Sequence, residues 1–264
     1  MTTYNVSFVG AGKVAGVLCR SLYNAGNRIL RIVTPEMKED GTLLARECRA
    51  LWSSEPVFDE SNDVIIIAVP DHNLSAVLAG IKCSVDSVVA HTAGSYGLDV
   101  FPEWIVKRGV FYPLQTFSKN RELDVKDIPF ILEASQPGTE AVLKGLAESL
   151  GSKTFFLDQE SRRMLHLAAV FVNNFSNFML IAGKEITIKA GLSFDLLIPL
   201  IKETYSKALA NGPEYSQTGP AVRNDENTIE KHMNLLSFSP ELQSIYREIS
   251  ESIITYYYNY NRNL

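Results

Sequence analysis

Apolar positions along the chain keep two different rhythms, one on each side of Leu157. Before it, short apolar runs alternate with helical stretches. NVSFVG, RILRIVT, DVIIIAVP, SVVAHTAG, GVFYPL, IPFILEA and KTFFL predict strands, and DVIIIAVP is apolar almost throughout, as in a strand covered on both faces. Between them, helices are predicted over about Lys13–Ala25 and over TLLARECRAL, NLSAVLAGI and EAVLKGLAESLG. Such alternation builds an α/β fold with a parallel sheet. From Gln159 onward only the helical period persists, over 161–190, 193–210, 226–236 and 240–258. The change at Leu157–Asp158 is a shift of pattern without a flexible linker. Two domains are therefore expected, 1–157 and 158–264.

The first helix of the second part, RMLHLAAVFVNNFSNFMLIAGKE, sets polar groups into an apolar background. At about 100° per residue, Asn173 falls about 20° to one side of His166, Asn177 about 20° to the other, and Lys184 in line with it. Each buried polar group costs about 1–3 kcal/mol if left unpaired, so this stripe is expected to face a partner, water or a ligand. The longest unbroken apolar run, LAAVFV, has six residues. A bilayer needs about 20, so no membrane span is expected. The N-terminus lacks the charged and apolar regions of a signal peptide.

VSFVGAGKVAGVL carries Gly10, Gly12 and Ala15 in the GxGxxA form, after a strand and opening a helix. Gly10 permits the tight turn, Gly12 lets the backbone approach a pyrophosphate, and a small third residue lets helix and strand pack closely. The helix start offers N–H groups and a positive dipole to the phosphates. A dinucleotide over Gly10, Ala11, Gly12, Lys13 and Val14 is thus expected, against the plainer reading of a ligand-free glycine turn. At the end of the second strand, where an NAD site has an acid, stands Thr34, with Glu36 two residues later. An uncharged strand end leaves room for a 2′-phosphate, which Lys38 or Arg31 could neutralise, although Arg31 could equally brace the strand. NADP is favoured, with NAD possible.

Together VGAGKVAGVL, DVIIIAVPDHNL, HTAG, FYPLQTF, HLAAVFVNNF and TGPAVRNDENTIEKH resemble the family of Rossmann-like NADP oxidoreductases whose helical C-terminal domain has no assigned role. The chain is more distantly similar to deazaflavin-dependent NADP oxidoreductases, pyrroline-5-carboxylate reductases and 6-phosphogluconate-dehydrogenase-like enzymes. The resemblance implies an N-terminal Rossmann domain followed by an all-α, 6-phosphogluconate-dehydrogenase-like domain. It also implies NADP, oxidoreductase chemistry on a small polar or anionic substrate, and a homodimer formed through the helical domain. Two positions depart from the family: Tyr112 where it often has His, and Ala93 where it often has Ser. In the wider superfamily a catalytic Lys precedes an Asn on the second domain's first helix. With Asn174 set at that Asn, Val170 occupies the lysine position. Valine moves no proton, so any hydride reaction needs another donor, and a non-catalytic dinucleotide sensor is the competing reading.

Donor candidates sit at predicted strand ends and on the helices. Val69 and Pro70 of VPDHN would line the dinucleotide, with His72 or Asn73 touching it, unless Asp71 or Asn73 only caps the next helix. In HTAG, the backbone of Thr92 and Gly94 would meet the nicotinamide, and His91 would donate to a substrate oxygen or serve as a structural hydrogen bonder. Around Pro113, whose ring imposes an extended or turn path, Tyr112, Gln115 and Thr116 would face the cleft. Tyr112 would act as an acid or pack its ring in the core. His166 and Asn173, about 10 Å apart along a helix, could bracket substrate and nicotinamide, and an imidazole suits proton transfer beside a hydride step. In TGPAVRNDENTIEKH, Asp225 reads as an N-cap, Arg223 as a bidentate anion ligand or a plain surface residue, and His232 as a further helical candidate.

Bulk properties remove other classes. A net charge of −5 argues against a nucleic-acid binder, and 46% hydrophobic with 21% charged residues over 264 positions is ordinary for a soluble protein. Cys19, Cys48 and Cys83 form no CxxC and have no His at ligand spacing. Reduced thiols in a cytoplasm are expected, and no metal site.

Overall fold

The strand predicted as DVIIIAVP shows how the sheet is covered. Val64 and Ile66 enter one apolar cluster and Ile65 and Ile67 the other, one on each face. The protein is described by a computed structural model over residues 2–35, 39–118 and 123–262. By contacts it divides into two compact units, 1–174 and 175–264.

In the first unit, strands β1 (Asn5–Val9), β2 (Arg28–Val33), β3 (Leu51–Ser53), β4 (Val64–Ile67), β5 (Val88–His91), β6 (Arg108–Pro113), β7 (Phe130–Ala134) and β8 (Thr154–Phe156) form one sheet. Its order is β3-β2-β1-β4-β5-β6-β7-β8, parallel except for the β6–β7 pair. The chain leaves β1 towards β2 and β3, then returns to pair β4 on the other side of β1. That reversal opens a crevice at the carboxyl ends of β1 and β4, the place where open α/β sheets bind ligands. Helices α1 (Lys13–Asn24), α2 (Glu39–Glu47), α3 (Leu74–Gly80), α4 (Pro137–Ser149) and α5 (Gln159–Ala169) accompany the strands.

Two local expectations change. The helix predicted through Leu51 ends at Glu47, and Leu51–Ser53 instead pair in parallel with Arg31–Val33. Arg49, at φ 53°, breaks the helix, and an edge-strand leucine had the same apolar look as a helix stripe. After α5, Val170–Phe175 form a π-helical segment. A π turn takes up an extra residue, so the 100° count that aligned His166 with Asn177 and Lys184 does not run through it.

The strand-rich pattern stops at Leu157, whereas the compact units divide at Asn174 and Phe175. The physical reason lies in α5. Arg162 donates to Glu133 Oε2 and Tyr96 O, both at 2.5 Å, and Arg163 Nε donates to Ser95 O at 2.8 Å. These bonds make the start of the helix part of the sheet unit.

Taken end to end, the helical run Gln159–Lys189 is long and apolar enough to cross a bilayer, and none of its most apolar stretch is buried. The six-residue run weighed above understates this, because bilayer insertion depends on hydropathy averaged over a whole helix.

The second unit contains α6 (Ser176–Lys189), α7 (Ile198–Asn211), α8 (Pro213–Ser216), α9 (Glu226–Leu235) and α10 (Pro240–Arg262). His232 Nδ1 and Tyr246 Oη, 2.8 Å apart, tie α9 to α10, and Tyr257 Oη donates to Glu214 O at 2.6 Å. Asp225 caps α9 as expected, accepting from the Thr228 amide at 3.1 Å and its hydroxyl at 2.7 Å. Those bonds hold its carboxyl below the usual range. Large apolar side chains remain exposed across the unit, among them Leu196, Leu209 and Leu235.

Candidate functional site

The two glycines of the phosphate turn do different work. Gly10 has φ 108°, and a Cβ there would run into Ala68 O at the end of β4. Its amide donates to Val33 O at 2.8 Å, so it joins the ends of β1, β2 and β4. Gly12 has the ordinary φ of −71°, and a Cβ there would meet nothing within 4 Å. It is the N-cap of α1, and no side chain caps that helix. Uncapped N–H groups under open space are what a pyrophosphate requires, so these residues fit a dinucleotide. Lys13, the next residue, borders two cavities. One, of about 840 Å³, also touches Ala11, Gly12 and Asp40; the other, of about 570 Å³, also touches Val14, Tyr112 and His166.

Thr34 does not offer its side chain to a ribose. It is buried, and its hydroxyl accepts from Trp52 Nε1 at 2.9 Å. The neighbouring strand β3, unforeseen in the sequence, brings Trp52 there. Arg31 donates to Val57 O and braces β2. Glu36 and Lys38 lie outside the described residues.

After β4, Asp71–Asn73 form a 3₁₀ turn, and Asn73 makes no side-chain cap for α3. Asp71 Oδ2 instead accepts from Ser95 Oγ at 2.9 Å, tying this loop to the one after β5. Capping is therefore not the role of this motif. Val69 is half-buried and Pro70 exposed at the sheet's carboxyl end.

His91 corrects the expectation of a substrate donor. It is wholly buried, stacked on Phe101 at 5.3 Å. Its Nδ1 accepts from the Ala93 amide at 3.2 Å, which leaves the proton on Nε2, 3.3 Å from Gly97 O. Both nitrogens are spent on shaping the loop 91–97. Burial, opposed by the Gly97 bond and reinforced by the Arg162 charge, pushes its pKa down to about 4. It stays neutral at neutral pH.

What that loop delivers is Gly94, packed against a pair. Tyr112 Oη lies 3.0 Å from His166 Nδ1, with the rings edge to face. A Cβ on Gly94 would come within 2.9 Å of both His166 Nδ1 and Tyr112 Cζ. Tyr112, at the end of β6, is half-buried, and burial, with the Asp71 charge, raises its pKa above the ordinary phenol value. It is thus a protonated donor at neutral pH. Gln115, Thr116, Asn173 and Asn174 share the cavity with the pair. The helix therefore does turn His166 and Asn173 to one cavity.

Arg162 and Glu133 escaped notice in the sequence. Arg162 is wholly buried, and its Nε has no hydrogen-bond partner among the described residues. The guanidinium pins α5 to β7 and to the Tyr96 carbonyl, one helical turn before His166. A single acid inside apolar IPFILEA, and a cation in a first helical turn where the dipole disfavours it, were the available signals. Arg223 is exposed in the second unit and makes no side-chain hydrogen bond or ion pair with described residues, while His232 is occupied by Tyr246. Among the described residues no cluster of His, Cys, Asp and Glu could hold a metal.

Two family models match the chain, and the second spans the boundary between the compact units. Residues 5–94 match the family model described as NADP oxidoreductase, coenzyme F420-dependent, and residues 128–253 match a domain of unknown function. A crystal structure from Bacteroides fragilis, provisionally named an NADP oxidoreductase, is 36% identical and covers 96% of this chain and 98% of its own, at TM-score 0.85. A Thermotoga maritima protein is 24% identical over 97% of this chain and 99% of its own, at TM-score 0.72. A 1-pyrroline-5-carboxylate reductase of Streptococcus pyogenes shares the fold at 13% identity, over 96% of this chain and 99% of its own, at TM-score 0.62. None of the curated proteins matches the chain.

Proposed function

Because this chain belongs to the family of NADP oxidoreductases that includes the Bacteroides fragilis protein, we propose that it transfers hydride between NADP(H) and a small polar or anionic substrate held beside Tyr112 and His166. The single observation that carries this is the 3.0 Å Tyr112–His166 contact, placed against Gly94 in a cavity that Lys13 of the phosphate turn also borders. Gly10, Ala11, Gly12, Lys13 and Val14 hold the pyrophosphate, and Val69, Pro70, Thr92 and Gly94 accompany the dinucleotide towards the pair. The nicotinamide supplies or accepts the hydride when bound; the protein positions and polarises. Tyr112 and His166 exchange a proton with the substrate, and Asn173 orients it. Within the helical unit, the exposed guanidinium of Arg223 is assigned to binding an anion bidentately. The uncharged end of β2 favours NADP over NAD.

We assign the exposed apolar surface of the helical unit to a second copy of the chain. Leu196 and Leu209 are 67% and 87% exposed, and apolar patches on that scale mark protein contacts or lipid. Asn177, exposed on α6, favours a protein partner over lipid, where its amide would need a partner of its own. All three cysteines are free thiols, Cys19 and Cys48 with their sulfurs 3.4 Å apart and not bridged, which fits a reducing cytoplasm. Light scattering of the purified protein tests the dimer, and a monomer at micromolar concentration refutes it.

NADPH consumption over a panel of keto and imino acids tests the reaction. Tight NADPH binding with no turnover on any of them, and no effect of His166→Ala, would make the protein a dinucleotide sensor instead.

A further inference from the structure

The cavity beside Tyr112 and His166 has a one-sided charge. Of the described residues that line it, Lys13 alone carries a formal charge, and no carboxylate is among them. Leu114, Phe117, Leu165 and Val172 supply apolar walls, and Thr116 and the Asn173 amide supply hydrogen bonds. Its volume of about 570 Å³ suits a small molecule next to a nicotinamide. Asp71 acts electrostatically on Tyr112 but does not line the cavity, and its carboxylate is held by Ser95 Oγ.

Hydride acceptors differ in what they ask of such a place. An imine is reduced as its iminium, which brings its own proton and a positive charge, and so asks for a nearby anion. A carbonyl stays neutral until hydride arrives, then develops charge on oxygen that a positioned acid must meet. Tyr112 and His166 are such an acid: the phenol or imidazole proton can go to the substrate while the partner ring replaces it through their 3.0 Å contact. A cation among these walls would lose hydration, face Lys13 and find no counter-ion.

We propose that this cavity takes a carbonyl compound bearing an anionic group, or the corresponding alcohol, and rejects imines. The inference rests on the cavity being the hydride-transfer site. In the reducing direction the C=O π pair moves onto oxygen as hydride bonds to carbon, and the oxygen takes one proton from the pair, which solvent restores. In sum, carbonyl, NADPH and one proton give alcohol and NADP⁺.

Two measurements on the full chain decide it. In calorimetry with the NADP⁺-saturated protein, oxamate, a carboxylate-bearing carbonyl analogue, binds saturably, and pyrrolidine, a cyclic ammonium, does not. Tyr112→Phe weakens oxamate at least fivefold while NADP⁺ affinity stays within twofold. In turnover, NADPH is consumed with members of a panel of 2-oxo acids and aldehyde acids, and not with 1-pyrroline or 1-pyrroline-5-carboxylate. Pyrrolidine binding in preference to oxamate, binding of neither, reduction of the imines, or no consumption with any carbonyl compound overturns the substrate class. Failure of the protein to bind NADP⁺ or NADPH at all is a separate result, and it removes the hydride-transfer reading together with the inference.

Discussion

Tyr112 Oη and His166 Nδ1 stand 3.0 Å apart although 54 residues separate them in the chain. A pair that shares one proton acts as a unit. Tyr112→Phe and His166→Ala are each expected to lower kcat by about 10²–10⁴-fold, and the double variant by no more than the worse single one. The KM for NADPH should change little. Because burial raises the Tyr112 pKa, no basic limb assignable to it should appear in the kcat profile below about pH 10. Additive losses would show that the two groups work separately.

Gly94 is the packing floor of that pair. A methyl group there would sit 2.9 Å from His166 Nδ1 and from Tyr112 Cζ, so Gly94→Ala must push the rings away. Turnover is expected to fall at least tenfold, with secondary structure by circular dichroism unchanged. Full activity in this variant would separate the loop after β5 from the chemistry.

The phosphate turn allows a sharper separation of folding from binding. Gly12→Asp places a good N-cap on α1 at an allowed φ with nothing in its way, so Tm should hold or rise slightly. The same carboxylate occupies and repels the pyrophosphate position, and NADPH affinity should drop at least a hundredfold by fluorescence titration. Gly10→Ala does the reverse. Its Cβ meets Ala68 O at a left-handed φ, and more than about 2 kcal/mol of stability should go.

His91 predicts an acid limit to stability. Its folded pKa of about 4 lies below the ordinary 6.5, so between those values the unfolded chain binds the extra proton. The stabilisation is fully present above about pH 6.5 and is lost as pH falls towards about 4, reaching roughly 3 kcal/mol. Urea unfolding of His91→Gln should show a flatter dependence over that window. An equal slope in variant and parent would assign the acid sensitivity elsewhere.

Arg162 and Glu133 form a buried ion pair whose halves depend on each other. Arg162→Met leaves Glu133, only 19% exposed, without its counter-charge, and removal of one partner from such a pair typically costs about 3–5 kcal/mol. Adding Glu133→Leu should recover part of that loss. Chemical denaturation of the single and double variants measures both, and strict additivity would mean that the pair is not coupled.

Local chemistry decided how much of this was legible in advance. Short apolar runs and the 3.6-residue period marked β1, β2, β4 and the flanking helices, the glycine turn announced the start of α1, and Asp225 announced the start of α9, because each depends on residues a few positions apart. Tertiary contact decided the rest. Trp52 arrives over Thr34 only because Leu51–Ser53 joins the sheet edge, and Gly97 reaches His91 only after the loop beyond β5 folds back. Arg162 finds Glu133, and Tyr112 finds His166, across 29 and 54 residues. A histidine at a strand end reads the same in sequence whether it ends up sealed or open to a cavity. Its environment is made by side chains far along the chain, and solvent exclusion, which fixes its charge and its donors, exists only once those side chains have met.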